Sequence, residues 1–237
     1  MGEGCPNDAV LMKLVSSANI ACGFHAGDAE TMRRTIDLAI ENNVAIGAHP
    51  GYNDRENFGR TAMSLPRDDI YDLVIEQIDT LSNIALKAGG KLRHVKPHGA
   101  LYNQAAADLD LSAAIAEAAF EFDPSLIYYG LSGSVMIDEA AKIGLRTASE
   151  VFADRSYTGS GTLTPRTEPG ALIDEPETAA ARAMQMVIKG NVTATDGTVV
   201  PIKTDTICIH GDGPHAVAFA NAIRLALTEG GIEIRPF

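Results

Sequence analysis

Short apolar segments alternate with amphipathic helical stripes along almost the whole chain, and this alternation restricts the fold more than any other feature. Residues 18–25, 44–49, 92–97, 126–131, 147–153 and 206–210 read as buried strands. Helices fall between them. Asp28 is an N-cap ahead of the stripe Met32, Ile36, Ala39 and Ile40, and Ser64 with Pro66 opens a helix carrying Ile70, Leu73, Val74, Ile78 and Leu81. Further helices are read over 111–122, 135–143, 177–189 and 216–227, the second and third ending at Gly144 and Gly190. A small hairpin over 192–200 turns at Asp196-Gly197. Strands alternating with helices imply parallel strands joined by right-handed crossovers, hence a barrel or a doubly wound sheet. Polar groups collect after nearly every strand and not at one crevice, which favours the barrel, a single domain over 1–237. Only six such strands are found, a low number for closure.

The segment Arg93-His94-Val95-Lys96-Pro97-His98 places three ionisable groups on one strand face, because alternate side chains point the same way. Unpaired charge is too costly to be ordinary core. Two other strands end alike, in Gly23-Phe24-His25 and Gly47-Ala48-His49. If Ile20, Cys22 and Phe24 face the helices, then Asn19, Gly23 and His25 face inward; the same phase turns Gly47 and His49 inward. A glycine beneath each histidine is expected to leave room for a ligand. The bland reading, histidines bonded to loop backbone, is preferred for one residue but not for two in matching register.

Lys96 in a closed pocket either pairs with a carboxylate or holds an anion. Glu150 and Asp154 share one face of their strand, which makes Glu150 a partner for Lys96, a general base, or half of a structural ion pair. His210-Gly211-Asp212-Gly213-Pro214 precedes a helix and offers an anion seat, a weak signal alone. Arg60, Arg155 and Arg166 lie in loops at the same rim, where two-point contact with a carboxylate or phosphate is available. No Walker-type stretch, dinucleotide fingerprint or nucleophile elbow is present.

A net charge of −12 over 237 residues argues against nucleic acid or an anionic membrane as partner. No apolar run is long enough to span a bilayer, and no secretory signal precedes the first strand, so a cytoplasmic setting is expected. Cys5, Cys22 and Cys208 show neither a disulfide framework nor zinc-type spacing, and the latter two are expected to be buried thiols.

Several long motifs resemble those of the LamB/YcsF family, the A subunit of prokaryotic 5-oxoprolinase. They are the run from Ser16 through Asn19, Cys22 and His25 to Asp28; Gly47-Ala48-His49-Pro50-Gly51-Tyr52; Val95 through Lys96 and His98 to Asn103; Glu150-Val151-Phe152-Ala153-Asp154-Arg155; and Cys208-Ile209-His210-Gly211-Asp212. The resemblance spans essentially the whole chain. It implies a seven-stranded α/β barrel of the glycoside hydrolase/deacetylase type, and ATP-dependent opening of 5-oxo-L-proline to L-glutamate. Two partner subunits would handle ATP and lactam activation, and self-association is left open. One departure stands out: where the family has a first strand resembling Asp-Leu-Asn-x-Asp-Leu-Gly-Glu, this chain keeps only Gly2-Glu3, so most of that strand is expected to be missing.

On this reading His25, His49, Lys96, His98 and Glu150 are the expected catalytic residues, with no metal ligand assigned. Asn19, Arg60, Asp154, Arg155, Arg166, His210, Gly211 and Asp212 are expected to bind substrate. The rivals are a metal-dependent amidase or deacetylase using histidines and a carboxylate, and a non-catalytic lactam-binding scaffold.

Overall fold

In the computed structural model, which describes residues 1–237, four parallel strands lie side by side in chain order: β1 (Ser17–Ala21), β2 (Ala45–His49), β3 (Leu92–Val95) and β4 (Ile127–Leu131). All but Leu131 at the end of β4 belong to the first of two compact units, which comprises residues 1–130, 134–147 and 236–237. A single helical turn, α1 (Asp8–Leu11), precedes β1. The returns are made by α2 (Ala29–Glu41), α3 (Arg67–Lys87), α4 (Gly99–Ala105) and α5 (Leu109–Phe122), and α6 (Val135–Lys142) follows β4.

Local chemistry explains these boundaries. Asp28 caps α2 by accepting from the Thr31 amide at 2.8 Å, and Asp108 caps α5 through Leu111 at 3.0 Å. The buried stripe Ile70, Val74, Gln77, Ile78, Leu81 and Ala85 gives α3 one apolar face. That helix packs against α5, whose buried alanines let the two backbones approach closely.

The second unit comprises residues 131–133 and 148–235. Most of β5 (Arg146–Phe152) lies in it and pairs in parallel with β8 (Thr206–Cys208). Between them come α7 (Pro176–Lys189) and an antiparallel hairpin of β6 (Asn191–Thr193) and β7 (Val199–Pro201). The last helix, α8 (Ala216–Glu229), packs on α7. Proline in the first turn of α7 and left-handed Gly190 at its end are the expected start and stop signals.

The alternation therefore yields a parallel α/β architecture with six parallel strands, as the sequence implied. Three differences bear on the site. Strand β1 stops at Ala21 and β8 at Cys208, so His25 and His210 sit in turns beyond the strands. The short helices α1 and α4 carry no long apolar period and went unpredicted. No strand precedes β1; instead the Met1 nitrogen bonds to Asn19 O at 2.8 Å and the Ala21 amide to Met1 O at 3.0 Å. These two bonds form one parallel rung on the edge of β1 away from β2, and Glu3 follows two residues after Met1. No helix is long and apolar enough to cross a membrane.

Candidate functional site

Asn19, Gly47 and His94 stand in register across β1, β2 and β3 and form one inward layer. The phase read from the apolar positions is thus the observed one, but the glycine serves another purpose. A Cβ on Gly47 would lie 2.0 Å from His94 Nε2, so the space it leaves is filled by that imidazole and not left for a ligand. His94 stacks on Tyr129 with ring centroids 4.2 Å apart, and its Nε2 lies 2.9 Å from Asn19 Oδ1. Asn19, expected to bind substrate, uses its carbonyl oxygen here. Burial, with Lys96 nearby, pushes the His94 pKa down to about 3, so this ring is a neutral core histidine.

A second layer gathers at the C-terminal ends of the same strands. His49 is the last residue of β2, and its Nδ1 lies 2.7 Å from the Lys96 carbonyl oxygen. His98 precedes α4; its amide bonds to Pro50 O at 2.7 Å, its Nε2 lies 2.8 Å from Phe58 O, and its Nδ1 lies 3.0 Å from His49 Nε2. His25 lies flat on His98, with centroids 3.8 Å apart and planes 6° from parallel. Both His25 ring nitrogens are buried without a hydrogen-bond partner. Lys96 is buried, its Nζ 5.5 Å from the Tyr102 ring centroid.

The loop after β2 holds this cluster in place. Gln77 on α3 donates to Gly51 O at 2.9 Å and accepts from the Gly51 amide at 3.0 Å. Side chains at Gly51 or Gly59 would strike the stacked rings: a Cβ would lie 2.9 Å from His25 Nδ1 in the first case and 2.8 Å from His25 Cβ in the second. Arg55 Nη2 donates to Gly23 O and Gly27 O, each at 2.5 Å, tying this loop to the turn that carries His25. Exposed Arg60 lies over the Phe58 ring at 4.9 Å.

Sequence reasoning passed over Glu3. Its Oε1 lies 3.6 Å from His25 Nε2, and Glu3, His49 and His98 each offer a ligating atom within 4.8 Å of the others. Burial alone would raise the Glu3 pKa, but the positive charge at the Met1 nitrogen and the nearby His25 ring outweigh it, leaving about 2. His49 is held well below the ordinary imidazole range, chiefly by burial and then by His98 and Lys96. Burial, then His25, bring His98 to about 3, against an opposing pull from Glu3. The cluster therefore sets two neutral imidazoles, His49 and His98, beside a carboxylate, the stacked His25 ring and the buried Lys96 side chain.

The second unit gathers the remaining expected residues. Asp154 Oδ2 lies 2.7 Å from His210 Nδ1 and accepts from the His210 amide at 3.2 Å. Burial would raise the Asp154 pKa, yet the His210 charge and these bonds hold it below the usual value. Glu150 is buried on β5 opposite Thr206. Arg155 is buried and donates to Thr164 O at 2.6 Å, an anchor for the 153–175 loop, whereas Arg166 and Asp212 are exposed. Gly211 lies in the turn between β8 and α8. Cys22 and Cys208 are buried, as expected, and burial raises the Cys22 pKa to about 12.

Compared with known proteins, the chain matches the model of the LamB/YcsF family over residues 1–237. The chain belongs to the LamB/YcsF family. Among solved structures it resembles the lactam utilization protein from Thermus thermophilus, at 45% identity and a TM-score of 0.93, covering 100% of this chain and 97% of that one. A protein of Enterococcus faecalis, provisionally assigned to cellobiose-phosphate cleavage, matches at 14% identity and a TM-score of 0.50, covering 97% of this chain and 91% of that one. That second likeness concerns the fold alone. In this LamB/YcsF chain the family motifs coincide with the His25, His49, Lys96 and His98 cluster and with the Asp154–His210 pair.

Proposed function

We propose that this chain is the A-type subunit of a cytoplasmic, ATP-dependent 5-oxoprolinase that opens 5-oxo-L-proline to L-glutamate with two partner subunits. The observation that carries this reading is the buried group of His25, His49, His98 and Lys96, built from the motifs of a family whose Thermus relative is named for lactam utilization. ATP is assigned to the partners, since this chain lacks a phosphate-cradling motif.

A five-membered lactam resists hydrolysis because its amide carbon is a poor electrophile and the opened chain recloses readily. Phosphorylation of the lactam oxygen by the partners would make that carbon attackable. Water activated by Glu150 or His98 would then add to it, the ring C–N bond would break with its electron pair passing to the nitrogen, and a second water would release phosphate from the resulting acyl phosphate to leave L-glutamate. Lys96 would hold the anionic groups with an arginine, Arg60, Arg155 or Arg166, and His25 or His49 would protonate the departing group. The neutral His98 imidazole is the correct starting state for accepting a proton from water, the imidazole that protonates the departing nitrogen must first have gained one, and low-dielectric surroundings strengthen the pull of Lys96 on an anion. Asp154, His210, Gly211 and Asp212 are assigned to substrate binding in the same scheme.

A second reading, a metal-dependent amidase, draws on the approach of Glu3 to His49 and His98. Reconstitution with both partners, ATP and 5-oxo-L-proline tests the main one. The Lys96→Ala/His98→Ala double variant, shown to be folded by circular dichroism, is expected to form no glutamate. Full activity in that variant would overturn the proposal.

A further inference from the structure

Two backbone carbonyls settle where the hydrogens of the His49–His98 pair reside. A carbonyl oxygen only accepts, so His49 carries its hydrogen on Nδ1, toward Lys96 O, and His98 carries its own on Nε2, toward Phe58 O. The nitrogens left over, His49 Nε2 and His98 Nδ1, therefore both present lone pairs, and they stand 3.0 Å apart. Lone pairs at that separation repel unless a positive centre lies between them. Neither ring can turn away cheaply. His98 is stacked under His25, and each ring would abandon its carbonyl acceptor.

The surroundings point to the nature of that centre. The Glu3 carboxylate approaches from a separate segment, and its ligating atom, with those of His49 and His98, falls within 4.8 Å of the other two. A shared proton would relieve the two nitrogens but make no use of the carboxylate. A cation satisfies all three donors together. Each imidazole also donates its opposite N–H to a backbone carbonyl, the outer contact that fixes tautomer and ring orientation in metal-ligating histidines.

We propose that Glu3, His49 and His98 form a binding site for one divalent transition-metal ion of the zinc class, ligated through a carboxylate oxygen, His49 Nε2 and His98 Nδ1. Two histidines and one carboxylate suit a borderline-soft ion, and three protein ligands leave a coordination position for water or substrate. Two nitrogens bound tetrahedrally at about 2.0–2.1 Å stand about 3.3 Å apart, so loading requires the rings to separate by a few tenths of an ångström and the Glu3 carboxylate, within 4.8 Å of them, to draw in to a similar spacing. The proposal does not rest on the lactam assignment, but with the ion bound the proton transfers of that scheme fall to Glu150 and His25, not to His98 and His49.

The test is direct metal binding by the purified chain. Protein stripped with a chelator is titrated with Zn²⁺ and with Co²⁺, the bound metal is counted by elemental mass spectrometry, and affinity is measured against a chromophoric competitor. The expected result is one equivalent per chain and a Co²⁺ spectrum of low coordination number. Glu3→Gln, His49→Gln and His98→Gln, each confirmed folded by circular dichroism, should weaken binding by at least about tenfold. His94→Gln, outside the site, should bind like the parent protein. Substoichiometric metal in the parent, parental affinity in His98→Gln, or a nitrogen-15 imidazole spectrum showing one hydrogen shared by the two rings under excess Zn²⁺ would each overturn it. Tight, stoichiometric binding in a protein that forms no glutamate with its partners would refute the lactam reading and leave this one standing.

Discussion

Replacing Gly47 by alanine probes the inner layer beneath the cluster, and the size of the effect follows from the geometry. The added Cβ would fall 2.0 Å from His94 Nε2 and 2.3 Å from two of its ring carbons, Cδ2 and Cε1, which is inside the ring's own envelope. The imidazole must leave. Its exit breaks the hydrogen bond to Asn19, about 1 kcal/mol, and the stack on Tyr129, about 0.5–1.5 kcal/mol. Overpacking adds about 1–3 kcal/mol. Together these make Gly47→Ala destabilising by about 3–5 kcal/mol. In a His94→Ala background the same methyl enters space already vacated, so it should cost under about 1 kcal/mol. Urea unfolding of the parent, both single variants and the double variant measures the cycle. A coupling energy near about 3 kcal/mol is expected. A Gly47→Ala cost that is equal in both backgrounds would refute the claim that this glycine exists to admit His94.

Stability should also fall in acid through His94. Its folded pKa of about 3 lies below the ordinary value of 6.5, so between these pH values the unfolded chain binds a proton that the folded chain refuses. Its contribution is therefore complete above about pH 6.5 and declines by about 1.4 kcal/mol per pH unit below it. In His94→Gln that part of the slope should vanish; parallel stability curves for the two proteins from about pH 7 to 5 would contradict it. Gln77→Leu strands both backbone groups of Gly51 and should cost about 2–4 kcal/mol in denaturant melts, with a loss near zero counting against the clamp. Asp154→Ala removes the acceptor for the His210 amide and ring, and a destabilisation of about 1–3 kcal/mol is expected by calorimetry.

Much of the first unit was legible because strand periodicity carries its own phase. Once Ile20 and Ile46 were assigned to the helix-facing side, Asn19, Gly47 and His49 had to face inward, and they do. What periodicity does not carry is which side chain fills a given space. Gly47 reads equally as room for a ligand or room for His94, and only the register between β2 and β3 decides. Residues contributed by loops were harder still. Phe58 offers a backbone carbonyl, which any residue type supplies, and Gln77 acts from the middle of an otherwise apolar helical stripe. Glu3 had one available signal, its place in a Gly-Glu pair similar to the end of the first-strand motif of the family, although no spacing rule links it to His49 and His98. For the same reason no metal motif was visible: the three donors come from separate segments.

The most direct test of the central claim is a titration of the isotope-labelled chain with 5-oxo-L-proline, observed through its histidine side-chain resonances. The account predicts saturable shifts at His25, His49 and His98 and none at exposed His215. If those three imidazoles are indifferent to the lactam while the protein remains folded, the cluster is not where the substrate meets this subunit.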